Sequence, residues 1–425
     1  MDPVFRKLKV YIWKVQQGYF SKIPCFRLIK FIAVSIGLIL LFLVYWRFTW
    51  SSFIDNIGFC TQLFCDFINY YYPMGDAIFC NSQPVEGFLY SPLIAIFLAI
   101  FPPLGLDLSL VIWGILQVVA IILCFLIFYH LVPSKFTNQL IFIVLILFSY
   151  PVWLNFLAGN TGMFITAALF GSLLAFERDR FTIAIILLVL AGSFKFYPII
   201  LIAPFVLKTS KRFILLSIGT IFLMLFIIPG LVIGIDGTTQ FYTGLLLSFQ
   251  ESDWVVKNPH SQFFPHIVLR LIGSESEILL MVLKVFSFCL AVVNLLFIYY
   301  VKRSKAPYAN IWCFQIVLLS IPFMLKTSWP IDFIYLPFVQ SFLIWRILNC
   351  DLVTEKNKIQ VHSKRRSANI YLVLLSIFLS NIIFFNLVDN FTFYGFWGFP
   401  FVANILLLVV IYAEFYPRLR LSREG

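Results

Sequence analysis

The sequence predicts an all-α, polytopic transmembrane helical bundle of about 12 spans, with both ends on the cytoplasmic side. Of its 425 residues, 61% are hydrophobic and 12% are charged, whereas a soluble domain carries about 25% charged residues. The long apolar runs do not alternate as barrel strands would, and lipid excludes open sheets. A helix rises about 1.5 Å per residue, so each crossing of a core about 30 Å thick needs roughly 20 apolar residues.

The apolar runs define the predicted spans and their orientation. The spans are 30–48, 88–104, 108–131, 138–157, 161–177, 181–207, 212–234, 279–301, 309–325, 331–349, 368–388 and 395–416. Alternate crossing from a cytoplasmic N-terminus places the main basic clusters on the cytoplasmic side, as the positive-inside rule expects. These clusters are 6–30, 208–212, 302–305, 346–366 and 418–423. Residues 30–425 therefore form a single transmembrane domain.

The segment 181–207 leaves one alternative open. It is either one tilted helix or two short helices broken around Lys195-Phe-Tyr-Pro198, because proline disfavours helix at the preceding residue. Two short pieces would shift the side of the membrane on which the turn Gly159-Asn160 lies. The expected count is 12 spans, give or take one or two.

Residues 1–29 are predicted to form a cytoplasmic amphipathic segment. Basic residues such as Arg6 alternate there with apolar ones such as Trp13, which suits a helix lying on an anionic leaflet. The first apolar run is followed by Trp46-Arg-Phe48 and lacks a small-x-small cleavage site, so we expect a retained anchor. The positive-inside rule accounts for most of the net charge of +12, and no nucleic-acid partner is expected.

Two large loops on the extracytoplasmic side, 49–87 and 235–278, are expected to carry the function. In the first, Asp66 is followed by Tyr70 and later by Tyr90. A carboxylate can accept the proton of an attacking hydroxyl, while aromatic rings stack on a sugar. The alternative is that Asp66 is a solvated loop acid and the tyrosines form an interfacial aromatic belt.

The second loop holds a group of potential cations, His260, His266 and Arg270, together with Ser261. Such a set can clamp a phosphate and stabilise it as a leaving group. The alternative is a juxtamembrane loop with snorkelling bases. No histidine pair has metal-ligand spacing, so no tightly held metal is expected.

Lys195 is the most conspicuous charge inside an apolar run. An ammonium group within the membrane is costly and is functional by default, and a lysine here can meet a lipid phosphate. The alternative is a snorkelling or helix-breaking residue.

Three cysteines share the first loop, namely Cys60, Cys65 and Cys80. One disulfide can form among them in an oxidising compartment, which leaves at least one thiol free.

Four local patterns in this order resemble the integral-membrane GT-C glycosyltransferases. They are similar in particular to glycosyltransferase family 87, the bacterial polyprenyl-phosphate-mannose-dependent α-mannosyltransferase-like proteins. The patterns cover about residues 60 to 340. They are Asp66-Phe-x-x-Tyr-Tyr with Phe88-Leu-Tyr90-Ser-Pro92; Gly159-Asn160-Thr-Gly162; Ala191-Gly-Ser-Phe-Lys195-Phe-Tyr-Pro198; and Asn258-x-x-Ser261 followed by Ser328-Trp329.

The resemblance implies transfer of mannose, or of another hexose or pentose, from a polyprenyl-phosphate donor to a glycan or glycolipid acceptor. It implies an inverting reaction on the extracytoplasmic face of a bacterial plasma (inner) membrane, amid membrane lipids, with no cofactor. Asp66 would be the general base. The donor phosphate would meet Lys195, His260 and Arg270, and the sugar or acceptor would meet Tyr70, Tyr90, Asn160, Ser261 and Trp329.

The chain departs from the family pattern at two points. Family members often have His shortly after Ser-Trp, whereas this chain has Pro330, Ile331 and Asp332. The spacing from Ser261 to Arg270 is also longer than usual. Both differences bear on the donor sugar and on the role of the turn 326–332.

Two other functions are alternatives to the transferase. A transporter or flippase of a lipid-linked saccharide would distribute charged residues through the depth of several spans, and the predicted spans are almost free of them. A polymerase or ligase of lipid-linked oligosaccharide would differ from the transferase mainly in its acceptor.

Overall fold

The computed structural model describes residues 62–81, 83–132, 136–206, 211–250, 258–274, 276–304, 306–349, 359–388 and 391–421. The predicted amphipathic segment 1–29, the predicted first span 30–48 and Cys60 lie outside the described residues. Every regular element within these ranges is helical.

The α-helices are joined in places by short π and 3-10 turns. The α-helices are α1 (Tyr72–Asn81), α2 (Pro92–Leu98), α3 (Leu106–Leu131), α4 (Phe136–Leu147), α5 (Tyr150–Ala158), α6 (Gly162–Glu177), α7 (Phe181–Phe194), α8 (Ile202–Val206), α9 (Lys211–Phe222), α10 (Ile228–Ile233), α11 (Ile235–Gln250), α12 (Phe264–Ile272), α13 (Glu277–Arg303), α14 (Ala309–Met324), α15 (Leu336–Leu348), α16 (Ile359–Leu379), α17 (Ile382–Val388), α18 (Phe391–Phe396) and α19 (Phe399–Leu421). The turns are the π segments Phe67–Tyr71 and Leu223–Ile227 and the 3-10 segments Pro102–Leu104, Tyr197–Leu201 and Pro330–Tyr335.

Five helical segments of the described chain are long and apolar enough to cross a membrane, and six shorter apolar helices accompany them. The five are Leu106–Leu131, Phe213–Ile233, Glu277–Arg303, Pro330–Leu348 and Phe391–Phe415. Only 17% of the most apolar stretch of Glu277–Arg303 is buried, against 83% for Pro330–Leu348. A helix with as much exposed apolar surface as Glu277–Arg303 would make a protein insoluble in water. The peripheral helices are therefore suited to face lipid, around a buried centre formed by α14 and α15.

Polar side chains tie neighbouring helices together by donating to backbone carbonyls. Ser172 Oγ of α6 donates to Ala184 O of α7 at 2.8 Å, and Asn404 Nδ2 of α19 donates to Leu319 O of α14 at 2.7 Å. Interhelical hydrogen bonds of this kind hold helices whose apolar surfaces are no more attracted to each other than to lipid.

The predicted span 88–104 differs from the structure. The α-helix there has only seven residues, Pro92–Leu98, and a 3-10 turn, Pro102–Leu104, follows it. At about 1.5 Å per residue the helix is about 10 Å long, which is too short to cross a bilayer. The pair Pro102-Pro103 explains the end, since proline lacks the N–H that would continue the helix.

The predicted span 181–207 is broken, as in the second of the two alternatives. Helix α7 ends at Phe194, Lys195 is extended with φ −140° and ψ 138°, and the chain resumes as the turn Tyr197–Leu201 and then α8. Pro198 accounts for the break because it disfavours helical backbone just before itself. The break places the side chain of Lys195 at the end of the bundle where Asp66 lies.

The turn Gly159-Asn160 lies at that same end. Alternate crossing of unbroken spans would have placed this turn and Asp66 on opposite sides of the membrane, whereas Asn160 contacts Asp66 directly. Gly159 closes α5 in the left-handed conformation with φ 67°, and an added Cβ would lie 2.9 Å from Phe64 Cβ. A glycine is therefore required where the chain turns against the segment that carries Asp66.

Candidate functional site

Asp66 is positioned by the backbone on either side of it. Phe64 has φ 63°, and its N–H donates to Leu157 O near the end of α5 at 2.6 Å. Asp66 then precedes the π turn Phe67–Tyr71, whose first ring packs 4.8 Å from Trp113. This pinning holds the Asp66 carboxylate beside the turn that follows α5.

The carboxylate of Asp66 accepts one hydrogen bond from a second predicted residue. Asn160 Nδ2 donates to Asp66 Oδ2 at 2.7 Å. Burial raises the pKa of Asp66 to about 6, even though the Asn160 hydrogen bond and the charge of Lys195 each lower it and the charge of Asp332 raises it. Asp66 is therefore ionised at neutral pH yet a stronger base than an exposed aspartate.

Lys195 forms an ion pair with Asp332. Its Nζ donates to Asp332 Oδ1, and Asp332 Oδ2 accepts the backbone N–H of Trp329 at 3.1 Å. The side chain of Lys195 stays 20% exposed, against 7% for Asp332. The ammonium is therefore the accessible partner, and it lies near enough to Asp66 to act on it electrostatically.

Tyrosines surround this pair of charges. The hydroxyls of Tyr71 and Tyr90 lie 2.6 Å apart and are buried, and the N–H of Ser91 donates to Ser193 O at 3.1 Å, two residues before Lys195. Tyr70 is 36% exposed and packs over Gly87, where an added Cβ would lie 2.4 Å from its ring. Tyr90 is thus inside the site and Tyr70 at its rim.

Trp329 belongs to the apolar cluster that contains Cys65, the residue before Asp66. Its half-buried ring therefore lies on the same side of the bundle as the carboxylate. Cys65 is disulfide-bonded and Cys80 is a free thiol. The partner of Cys65 therefore lies outside the described residues.

Arg270, Ser261 and His260 form a second cluster around the segment 258–262. Arg270 Nη1 donates to Asn258 O at 3.0 Å and Nη2 to Ser261 O at 2.8 Å, with a longer contact to Gly395 O. Ser261 Oγ lies 2.8 Å from His266 Nδ1. Much of the guanidinium's donor capacity therefore goes to backbone carbonyls that hold this segment against α18.

The two histidines of this cluster are uncharged at neutral pH. Burial, helped by the charge of Arg270, lowers the pKa of His260 to about 4. Burial likewise lowers the pKa of His266 to about 4, with smaller contributions from Arg270, Lys284 and Lys326. His260 also stacks on Phe391 at 3.8 Å between ring centroids. A neutral imidazole can donate a hydrogen bond but offers no positive charge to a phosphate.

A backbone hydrogen bond joins the two clusters. The N–H of Gln262 donates to Ser328 O at 2.7 Å, and Ser328 is followed by Trp329 and then by the turn that carries Asp332. Asp66, Tyr90, Asn160 and Lys195 thus come together at the charged centre, whereas His260, Ser261 and Arg270 lie in the neighbouring cluster.

A metal site built from protein side chains would bring several His, Cys, Asp or Glu residues together in the part of the chain that the structure describes. No group of three or more His, Cys, Asp or Glu side chains lies close enough there to hold an ion. Asp66 and Asp332 are two carboxylates near each other, and Lys195 already pairs with the second.

An apolar cavity of about 660 Å³ adjoins the charged centre, and every side chain that lines it is apolar. Its walls come from α2, α3, α6 and α7, and several lining residues are exposed, including Phe97 and Leu123. Its lining also includes Phe194, which precedes Lys195, and Trp113, whose Nε1 donates to Gly159 O at 2.8 Å. The cavity is therefore lined both by residues exposed on the surface of the bundle and by residues next to the charged centre.

Asp332 and Tyr71 are the site residues that sequence reasoning missed. Tyr71 was visible as the neighbour of Tyr70 in the first-loop pattern. Asp332 was visible as an acid in the turn after Ser328-Trp329, but only the fold pairs it with a lysine 137 residues away in sequence.

Comparison with known proteins gives one match. The model of glycosyltransferase family 87 matches residues 88–325, which is more than half of the chain. Asn160 and Lys195 lie inside the match, and Asp66 and Asp332 lie on either side of it. A search of curated proteins and a search of solved structures each found no match. With its apolar helices and this match, the chain belongs to glycosyltransferase family 87 and is an integral membrane glycosyltransferase.

Proposed function

We propose that the protein transfers a sugar from a polyprenyl-phosphate donor to a glycan or glycolipid acceptor, with inversion at the anomeric carbon. The observation that carries the proposal is that the carboxylate of Asp66 and the ammonium of Lys195 interact beside the apolar cavity (the apolar groove). The donor sugar is mannose or another hexose or pentose, and the reaction needs no cofactor.

Asp66 acts as the general base. The acceptor hydroxyl gives its proton to the carboxylate as its oxygen forms a bond to the anomeric carbon. The bond from that carbon to the phosphate oxygen breaks, and polyprenyl phosphate leaves with the electron pair. Asn160 holds Oδ2, so Oδ1, which has no hydrogen-bond partner among the described residues, faces the acceptor. A base held this way contributes roughly 10²–10⁴-fold to the rate.

Lys195 stabilises the departing phosphate. Its ammonium has three N–H donors, of which one contacts Asp332, and its side chain is partly exposed. A fixed positive charge favours the phosphate most when negative charge develops on the leaving oxygen. Arg270 and His260 act less directly, by shaping the neighbouring segment. Tyr70, Tyr90, Ser261 and Trp329 remain candidates to contact the sugar or the acceptor.

The apolar groove receives the polyprenyl chain. Its walls are almost entirely apolar, which suits a hydrocarbon and is unsuited to a glycan. Phe97 and Leu123 open it to the side that faces lipid, so a membrane-borne donor can enter sideways with its phosphate leading.

The reaction takes place on the extracytoplasmic face of a bacterial plasma membrane, in which the whole chain from residue 30 onward forms one domain. The break at Lys195 supports a revised threading in which the turn 178–180 is cytoplasmic. Arg178 and Arg180 then join the other basic clusters on that side, in keeping with the positive-inside rule. The Asp66 segment and residues 258–272 lie on the other face.

The direct test incubates the purified full-length protein with polyprenyl-phosphate mannose, glucose and arabinose and with extracted envelope glycolipids. We expect release of polyprenyl phosphate together with labelling of an acceptor by one of these sugars. Movement of the intact donor across a vesicle membrane without release of lipid phosphate would contradict the proposal and favour a flippase.

Filling the groove should weaken donor binding. Ala168→Phe places a ring among the groove-lining side chains, and we expect the KM for a long-chain donor to rise at least about tenfold, or about 1.4 kcal/mol. A donor with a short chain should be affected less. Ile115→Phe, at an exposed position of α3 outside the groove, is the matched control. An equal effect on donors of both lengths would exclude the groove as the chain site.

The rate of sugar transfer should fall at acidic pH. Because burial raises the pKa of Asp66 to about 6, the carboxylate is ionised at pH 7 and protonated at pH 5. A protonated carboxyl cannot accept the acceptor's proton, so kcat/KM should fall about tenfold per pH unit below pH 6. The pH–rate profile measures this directly. A rate that stays constant down to pH 5 would be inconsistent with Asp66 as the base.

A further inference from the structure

Asp332 is the acid that contacts Lys195 among the residues that the structure describes. One of its oxygens binds the ammonium, and the other accepts the N–H of Trp329. Its own N–H donates to Trp329 O at 2.9 Å. The carboxylate is therefore fixed by its own 3-10 turn, and its position does not depend on Lys195.

Lys195 interacts with two carboxylates. It contacts Asp332, and it also lowers the pKa of Asp66 through its charge. If Lys195 lost Asp332, its ammonium would still gain from another counter-ion, since its side chain is only 20% exposed and an unpaired charge in a low dielectric is costly. The expected new partner is Asp66, because it is the other acid on which Lys195 acts electrostatically.

A direct pair with Lys195 would impair Asp66 as a base. An ammonium in contact stabilises the carboxylate form and lowers its affinity for a proton. It would also occupy the oxygen that the acceptor hydroxyl needs, since Asn160 already holds the other oxygen. The reaction therefore needs Lys195 close to Asp66 but not bonded to it.

We propose that Asp332 is a positioning residue that holds Lys195 apart from Asp66, so that the ammonium meets the donor phosphate and the base stays unpaired. This inference rests on the proposed function, in which Asp66 is the base and Lys195 meets the phosphate. Asp332 itself touches neither substrate.

Within the described residues, the charged groups that act electrostatically on Asp66 are Lys195 and Asp332. Tyr70, Tyr71 and Tyr90 also interact with it and stay neutral near pH 6, since an ordinary tyrosine titrates near pH 10. A shift in the acid limb of the rate profile on changing Asp332 therefore reports on the two charged neighbours.

The test compares Asp332→Asn and Asp332→Glu with the wild type, using the full-length protein and whichever of the three polyprenyl-phosphate sugars it accepts. For Asp332→Asn we expect kcat on the pH plateau, where Asp66 is ionised, to fall at least about tenfold because Asp66 now pairs with Lys195. The acid limb should move at least about one pH unit lower, because the loss of the Asp332 charge and the new pair both lower the pKa of Asp66. Asp332→Glu should keep the limb near its wild-type position and recover most of the rate.

A double variant distinguishes pairing of Asp66 with Lys195 from poor folding. In Lys195→Met/Asp332→Asn no ammonium remains to pair with Asp66, so the limb should return close to its wild-type position although transfer stays slow. A lower plateau with an unmoved limb in Asp332→Asn would make Asp332 merely structural and overturn the inference. An unchanged plateau in that variant, with or without a shifted limb, would overturn it as well, because loss of the Asp332 charge alone can move the limb.

The proposed function fails on different results. Absence of transfer by the wild type, or full transfer by a variant without the Asp66 carboxylate, would remove the reaction itself. Failure of the Asp332 test alone would leave the base and the phosphate ligand in place.

Discussion

Asp66→Asn should lower kcat for sugar transfer by roughly 10²–10⁴-fold, the contribution of a well-placed general base. Asparagine has nearly the same shape and can still accept the hydrogen bond from Asn160 Nδ2, so the site should keep its geometry. It cannot take a proton from the acceptor hydroxyl at neutral pH. Transfer measured by release of polyprenyl phosphate should therefore fall while donor KM changes little.

Asp76→Asn is the matched control for this variant. Asp76 lies on α1, the helix that follows the Asp66 segment, and its side chain is exposed. The same change of charge there should leave kcat within a factor of about two. Size-exclusion chromatography and thermal unfolding in detergent would verify that both variants are folded. Transfer at near wild-type rate by Asp66→Asn would remove Asp66 from the mechanism.

The residues of the charged centre were accessible from sequence because each has a local signature. Asp66 precedes an aromatic run, and Lys195 interrupts an apolar one close to a proline. A lone charge in a membrane segment is costly, so its presence indicates a function. What the sequence did not determine is which charges meet, since the ion pair to Asp332 depends on how α7 ends and how the turn 330–335 begins.

The order in which the chain crosses the membrane could be predicted from sequence except where a helix breaks. Hydropathy detects apolar length, and the run 181–207 is long enough for a single span. Pro198 favoured a break in this run. The contact between Asn160 and Asp66 excludes alternate crossing by unbroken spans. The error at 88–104 has the same origin, because an apolar run that contains Pro102-Pro103 has the composition of a span without its continuous helix.

Arg270 shows where residue type alone was insufficient. A cation in a polar loop near a membrane is compatible with a phosphate ligand and equally with a structural clamp. In the structure its guanidinium donates hydrogen bonds to Asn258 O and Ser261 O. The planar guanidinium suits two such bonds, but no spacing pattern in the sequence predicts them. Whether it also meets the donor stays a prediction.

Lys195→Met should lower kcat/KM by about 10²–10³-fold, because a fixed charge that stabilises the leaving phosphate is removed from the transition state. Methionine retains much of the lysine stem, so packing is largely kept. The single change also leaves Asp332 buried without its counter-ion, and breaking a buried pair in this way destabilises a fold by about 3–5 kcal/mol. Slow transfer by this variant alone would therefore not separate chemistry from stability.

Lys195→Met/Asp332→Asn makes that separation. With both charges gone, thermal unfolding should return towards the wild-type temperature, while transfer should remain about as slow as in Lys195→Met. Lys302→Met is the control for loss of a half-buried lysine elsewhere, since Lys302 donates to Asn310 Oδ1 in another part of the bundle. If the double variant recovered wild-type transfer, Lys195 would serve only to neutralise Asp332, and the phosphate would have to be stabilised by another group.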